Sequence, residues 1–166
     1  MKVKVHNFIW NILLMITVAV TLTACNGKFL SYKKTTVAQK EHRIPLQEGD
    51  TQGVWKTNEL LLNYHCQRTS ETLKISGTVK LAEGFGQGFS SIHRLVAQLL
   101  FLDNQGVIIQ DPVLFSAESD RAVDMTPMNF ERTFRIPPET TSISFSYDGM
   151  LIDGNSTIVL IGNFPS

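Results

Sequence analysis

The amino-acid sequence predicts an all-β protein whose folded part is an antiparallel β-sandwich of about seven strands, immunoglobulin-like in class. Two observations carry this prediction. Apolar residues recur with a period of two along most of residues 53–166, as in strands that bury one face. Turn-forming residues separate the runs at intervals of about 8–12 residues, with no convincing helix between them. A small β-barrel is the alternative that the same pattern allows.

The clearest strand predictions fall between residues 60 and 81. One run alternates through Leu60, Leu62, Tyr64 and Cys66, and the next alternates through Leu73, Ile75, Gly77, Val79 and Leu81. Side chains two residues apart in a strand share a face. We therefore expect two amphipathic strands, with the thiol of Cys66 buried.

Segment 94–102 is apolar on both faces, which is typical of a central strand covered on both sides. A helix is the competing interpretation of such a run. Turn-forming residues follow at 103–106, and a second apolar run begins at Val107. That arrangement favours two strands joined by a turn.

The remaining alternating runs are shorter and predict strands at 113–115, 128–136, 143–147 and 157–164. Residues 116–127 form the least regular stretch. Alternating serines at 142, 144 and 146 are expected on the solvent face of their strand. Trp55 precedes the first predicted strand and is expected outside the middle of the core. The Cys…Trp…Cys framework of true immunoglobulin domains is missing.

The N-terminal segment is built like a secretory signal, since Lys2 and Lys4 precede an apolar run at 8–22 and then small residues. Its end, Leu22-Thr23-Ala24-Cys25, resembles the lipobox of bacterial lipoproteins that signal peptidase II cleaves. The resemblance implies lipid on the sulfur of Cys25, removal of residues 1–24 and acylation of the new amino terminus. Two alternatives stay open: an uncleaved membrane helix over 8–24, and an ordinary secretory signal cut after Ala24.

The same resemblance implies a location and a domain order. Several acyl chains, each buried at about 0.8 kcal/mol per methylene, hold a protein firmly on a membrane. Residue 26 is Asn, whereas Asp after the lipidated cysteine usually marks retention in the inner membrane of Gram-negative bacteria. We therefore expect Cys25 to anchor the chain on the periplasmic side of the outer membrane. The predicted domains are a signal peptide at 1–24, the lipidated cysteine with a flexible tether at 25–52, and the β-sandwich at 53–166.

The charge balance disfavours nucleic-acid binding. The full chain carries 15 basic and 15 acidic residues, so removing Lys2 and Lys4 leaves a net charge of −2. Nucleic-acid binding normally needs a basic stripe. The basic residues of the predicted tether are Lys28, Lys33, Lys34, Lys40 and Arg43. We expect them either to lie on anionic head groups or only to keep the tether solvated.

No motif for catalysis or cofactor binding stands out. The glycine-rich residues 84–88 lack the strand-to-helix context of a dinucleotide site and the Lys-Ser/Thr of a P-loop. His65 and Cys66 are consecutive in a predicted strand, so their side chains point to opposite faces and cannot share an ion. Zinc-ligand spacings and nucleophile motifs are also missing. We predict a non-enzyme with no catalytic residue, no cofactor and no metal.

Topology suggests where a partner binds. If the predicted strands alternate in direction, connections 83–92, 116–127 and 148–156 share one end of the sandwich, and the shorter connections share the other. Function in sandwiches tends to lie in such loop clusters. The predicted contact residues are Phe85, Phe89, Asp120, Asp124, Met150 and Asp153. The acidic residues among them leave calcium binding open as an alternative.

These expectations predict a membrane-anchored envelope lipoprotein whose β-sandwich is a non-enzymatic binding module for a protein or another envelope component. The alternative is a structural or accessory subunit of a larger envelope assembly, with contact made by strand-edge pairing. A hydrolase with residues converging from separate loops is less favoured, because no acid–base or nucleophile constellation is visible.

Overall fold

The computed structural model describes residues 36–83, 88–122, 126–155 and 158–163, with the backbone alone for 119–122 and 163. All of them belong to one unit of the chain, Tyr32–Ser166. They form a short 3₁₀ turn, Lys40–His42, and ten strands. The strands are β1 (Ile44–Pro45), β2 (Gly49–Lys56), β3 (Leu60–Arg68), β4 (Thr72–Leu81), β5 (Phe89–Leu102), β6 (Ile108–Gln110), β7 (Val113–Ala122), β8 (Met128–Arg135), β9 (Ser142–Asp153) and β10 (Ile158–Asn163).

The described strands make two antiparallel sheets that do not close into a barrel, which confirms the predicted sandwich. One sheet is four-stranded in the order β2-β3-β4-β8. The other has β9 and β5 at its centre, with β1 and β10 beside β9 and with β6 and β7 beside β5. The chain pairs β4 with β8 and β5 with β9 after crossing between the sheets. These pairs correspond to the B–E and C–F pairs of an immunoglobulin-like sandwich.

The alternation predicted over 60–81 builds one wall of the core. Its buried residues are Leu60, Leu62, Cys66, Leu73, Ile75, Val79 and Leu81.

The prediction for Trp55 is wrong, because this residue lies in β2, is 5% exposed, and packs edge-on against the rings of Phe145 and Tyr147. Strand β2 pairs with β3 along its whole length, which turns Trp55 towards the core.

Strand β5 is the central strand that the sequence predicts over 94–102. Every residue from Leu95 to Leu102 is buried, and β5 pairs on both sides. One face contributes to the main core, whereas the other places Leu100 and Leu102 in a second apolar cluster with Ala38 and Ile108. The predicted turn after β5 is also present.

Residues 36–52, which the sequence pattern assigns to a flexible tether at 25–52, pack on the sandwich. The backbone N–H of Ala38 donates to the carbonyl of Gly106 at 2.9 Å, and β1 pairs with β9. Arg43, expected in a solvated or membrane-facing tether, donates to the carbonyl of Ala38 at 2.7 Å. The sequence pattern does not reveal this packing, because the segment is held by backbone hydrogen bonds and by isolated apolar residues that do not recur with a regular period.

The serines expected on a solvent face are buried. Ser142, Ser144 and Ser146 are 9%, 2% and 0% exposed. They stand opposite Leu102, Leu100 and Gln98 of β5, and the hydroxyl of Ser146 donates to the side-chain oxygen of Gln98 at 3.3 Å. Small side chains beside larger cross-strand neighbours are shielded from water even on an outer sheet face.

Within the described ranges, no helix has the length and apolar character needed to cross a membrane. Segment 8–24, for which the sequence leaves a membrane helix open, lies outside the described residues, and so does Cys25.

Candidate binding surfaces

The ends of β5, β7 and β9 that flank the three long connections lie together at one end of their sheet. Phe89 at the start of β5 stands opposite Asp153 near the end of β9, and Ser91 stands opposite Ala122 at the end of β7. The predicted contact residues Phe89, Asp120, Met150 and Asp153 nevertheless lie in strands rather than loops, because β5, β7 and β9 extend farther than their sequence patterns indicate. Phe85, Asp124 and the side chain of Asp120 lie outside the described residues.

An apolar surface lies near this end, on the outer face of β9 and β10. Ile158 and Leu160 are 56% and 72% exposed. They stand directly opposite Ile152 and Met150 in the antiparallel register. Opposed residues share a face of the sheet, so these four side chains, Met150, Ile152, Ile158 and Leu160, form one cluster that we name the β9–β10 surface. It contains one of the predicted contact residues, Met150.

Strand β10 is also an edge of its sheet. Among the described strands it pairs only with β9, so the other side of its backbone presents N–H and C=O groups to the exterior. Edge strands are usually protected by charged side chains. The edge strand β8 carries Arg132 opposite buried Ile75, and the edge strand β2 carries Lys56. No charged residue occurs in β10, so this edge lacks that protection.

A cavity of about 860 Å³ lies at the opposite end of the sandwich, among the described residues. It is formed by the β3–β4 turn, the β6–β7 connection and the β8–β9 connection. Its lining residues include Arg68, Glu71, Phe101, Pro112, Phe134, Arg135, Ile136, Pro137, Pro138 and Glu139. None of the contact residues predicted from the sequence belongs to these three connections. The sequence does contain one indication of the cleft. Arg68 is a charged residue at a position that continues the core-facing alternation of Leu62, Tyr64 and Cys66.

A polar site surrounds Tyr147 at the β2–β3 turn. The Tyr147 hydroxyl donates to the carboxylate of Glu59 and lies 3.0 Å from the hydroxyl oxygen of Thr57. Burial raises the pKa of Tyr147, and the hydrogen bond to Glu59 raises this pKa further. A cavity of about 330 Å³ borders Tyr147 and His42. Because the phenol keeps its proton, Tyr147 acts as a hydrogen-bond donor that ties the β2–β3 turn to β9.

Cys66 and His65 point to opposite faces of β3, as predicted. The thiol is buried, and burial raises the pKa of Cys66 to about 11. The Nε2 atom of His65 instead lies 3.8 Å from a carboxylate oxygen of Asp50. A thiol that stays protonated in the core is a poor nucleophile and metal ligand.

Within the part of the chain that the structure describes, no three His, Cys, Asp or Glu side chains are grouped so as to hold a metal ion. Comparisons with protein-family models, curated proteins and solved structures find no match to this chain. The interpretation of its surfaces therefore depends on their geometry and chemistry.

Proposed function

We propose that the chain is an outer-membrane lipoprotein, anchored through acylated Cys25, whose sandwich is a non-enzymatic module that binds a protein partner. The lipobox-like residues 22–25 support the anchor. The open edge of β10 and the adjoining β9–β10 surface support the binding role. Isolated exposed apolar residues are common on proteins, whereas a contiguous apolar cluster at an unprotected edge is typical of an interaction site.

Strand addition is the mode of contact that this edge favours. An extended segment of the partner would pair with the backbone of β10, which supplies affinity through main-chain hydrogen bonds. Its side chains would pack on Leu160 and Ile158, which are the most exposed members of the β9–β10 surface. This mode also fits an accessory subunit that stays in a larger envelope assembly.

The test is photo-cross-linking in living cells, with a photoreactive residue at position 158, followed by detergent extraction and mass spectrometry. We expect a reproducible cross-link to one envelope protein, and an amino terminus that begins at lipidated Cys25. Leu160→Lys should reduce the cross-link by about tenfold or more, because a desolvated charge opposes pairing at this edge. Cys25→Ser should leave the membrane fraction.

The matched control is Val54→Lys. Val54 is 60% exposed on β2, an edge of the other sheet, so this variant adds the same charge at another exposed apolar edge position. We expect it to keep the cross-link. Equal loss in both variants would show that the β10 edge is not the contact. Retention of residues 1–24 on the membrane-bound chain would instead support the membrane-helix alternative.

A further inference from the structure

The cleft at the end opposite the β9–β10 surface is concave and is lined by both apolar and polar residues. Its volume of about 860 Å³ lies within the roughly 300–1,000 Å³ typical of small-ligand sites. Phe134 lines the cleft, and its ring meets the fully buried ring of Phe101 edge-to-face, with centroids 6.2 Å apart. Ile136, Pro112 and Pro137 add further apolar surface. The apolar part of a ligand therefore has a surface on which to pack.

Arg68 brings a positive charge to this cleft. It stands opposite buried Leu73, so it occupies a core-facing position of β3 and is only partly exposed. Its Nη1 donates to the carbonyl of Leu46, while its Nε is buried and has no hydrogen-bond partner within the described residues. The described carboxylates form no ion pair with it. A partly desolvated guanidinium without a counter-ion is costly, and a bound anion would offset that cost.

The rim of the cleft is held in an unusual conformation. Glu139 has a φ of 70°, in the left-handed region that non-glycine residues rarely adopt. The hydroxyl of Thr140 donates to the carbonyl of Pro137 at 2.8 Å and closes this turn. Backbone strain of this kind is often found at ligand sites. Arg135 adds a second cation to the lining, while Glu71 and Glu139 are exposed acids on the same rim.

We propose that this cleft binds a carboxylate joined to an apolar body, with the carboxylate at Arg68 and the body against Phe134 and Ile136. The guanidinium N–H groups that Leu46 does not use can donate a charge-assisted hydrogen bond to a carboxylate, which is stronger than a bond between neutral groups. The site is separate from the β9–β10 surface, so it does not depend on the proposed protein partner. The carboxylate comes either from a free organic acid or from the C-terminus of a peptide.

The test is calorimetric titration of the full chain in phosphatidylcholine nanodiscs with N-acetylphenylalanine and with its amide. The two probes share one apolar body and differ only in the carboxylate. We expect the acid to bind at least about tenfold more tightly than the amide, as a charged hydrogen bond implies. Arg68→Gln should abolish this preference. Equal binding of acid and amide, or binding of neither, would overturn the proposal.

Two further measurements keep the test valid if Arg68→Gln destabilises the fold. In the unaltered chain, the Nε–H resonance of Arg68 should shift with the acid and not with the amide. Arg135→Gln, at the cleft, should weaken acid binding, whereas Arg132→Gln, on the same strand but outside the lining, should not. An unmoved resonance, or equal effects of these two variants, would contradict the site.

A tetrapeptide ending in phenylalanine distinguishes the two sources of the carboxylate. Tighter binding of the tetrapeptide than of N-acetylphenylalanine indicates a peptide C-terminus, whereas equal binding indicates a free organic acid.

Discussion

Cys66 and Arg68 occupy successive core-facing positions of β3 and have opposite consequences. Cys66 is a small side chain that is easily kept neutral, so it fills the core as an apolar residue would. Arg68 cannot lose its charge in a protein, and its long stem lets the guanidinium remain at the mouth of a cleft. The same backbone register therefore yields a core residue at one position and a candidate ligand contact at the next.

The buried thiol makes stability depend on alkaline pH. Burial raises the pKa of Cys66 from 9.0 to about 11, so the folded chain keeps the proton over a range in which the unfolded chain loses it. The free energy of unfolding should therefore fall between pH 9 and pH 11 by about 2 kcal/mol. Urea unfolding at several pH values measures this fall. Tyr147 also has a raised pKa, so the comparison is with Cys66→Ala, which should show a smaller pH dependence. The same pH dependence in both chains would refute the assignment.

At the scale of the element, β4 depends on a glycine in its middle. Strand β4 lies between β3 and β8, and Gly77 stands opposite Tyr64 on one side and Phe130 on the other. A Cβ atom at Gly77 would overlap the backbone oxygen of Asn63 and lie 2.9 Å from the ring of Phe130. Neighbouring backbone cannot move aside as a flexible side chain can, so the close approach of these strands requires glycine.

Gly77→Ala should therefore destabilise the fold by roughly 1–3 kcal/mol, the usual cost of overpacking. Urea unfolding of the two chains measures the difference. Gly154→Ala is the control, because a Cβ atom there would meet nothing within 4 Å. We expect the control to change stability by less than about 0.5 kcal/mol. A control as damaging as Gly77→Ala would show that the crowding at Gly77 is not the cause.

At the scale of the whole molecule, the sandwich includes a segment that precedes strand β2. Residues 36–46 cover part of the outer face of β5 and contribute Ala38 and Leu46 to the buried residues. The second apolar cluster, in which Ala38 contacts Leu100, Leu102 and Ile108, depends on this cover. The folded domain therefore begins before residue 53.

Removing this segment should destabilise the domain. Replacement of residues 36–48 by a glycine–serine linker of equal length exposes Leu100 and Leu102, each of which contributes about 1.5–3 kcal/mol when fully buried. We expect a loss of roughly 2–5 kcal/mol in the free energy of unfolding, measured in urea against the unaltered chain. No loss would mean that the segment behaves as the flexible tether that its composition suggests.

The sequence by itself determined the fold class, the core faces of β3 and β4, the central position of β5, and the burial of Cys66. It could do so because a strand that buries one face repeats its apolar residues every second position, which is a local property. Only the tertiary structure decided the burial of Trp55 and of the serines in β9, the packing of residues 36–52, the open edge of β10 and the cleft at Arg68. Each of these depends on which distant segments lie side by side, and local alternation carries no information about that.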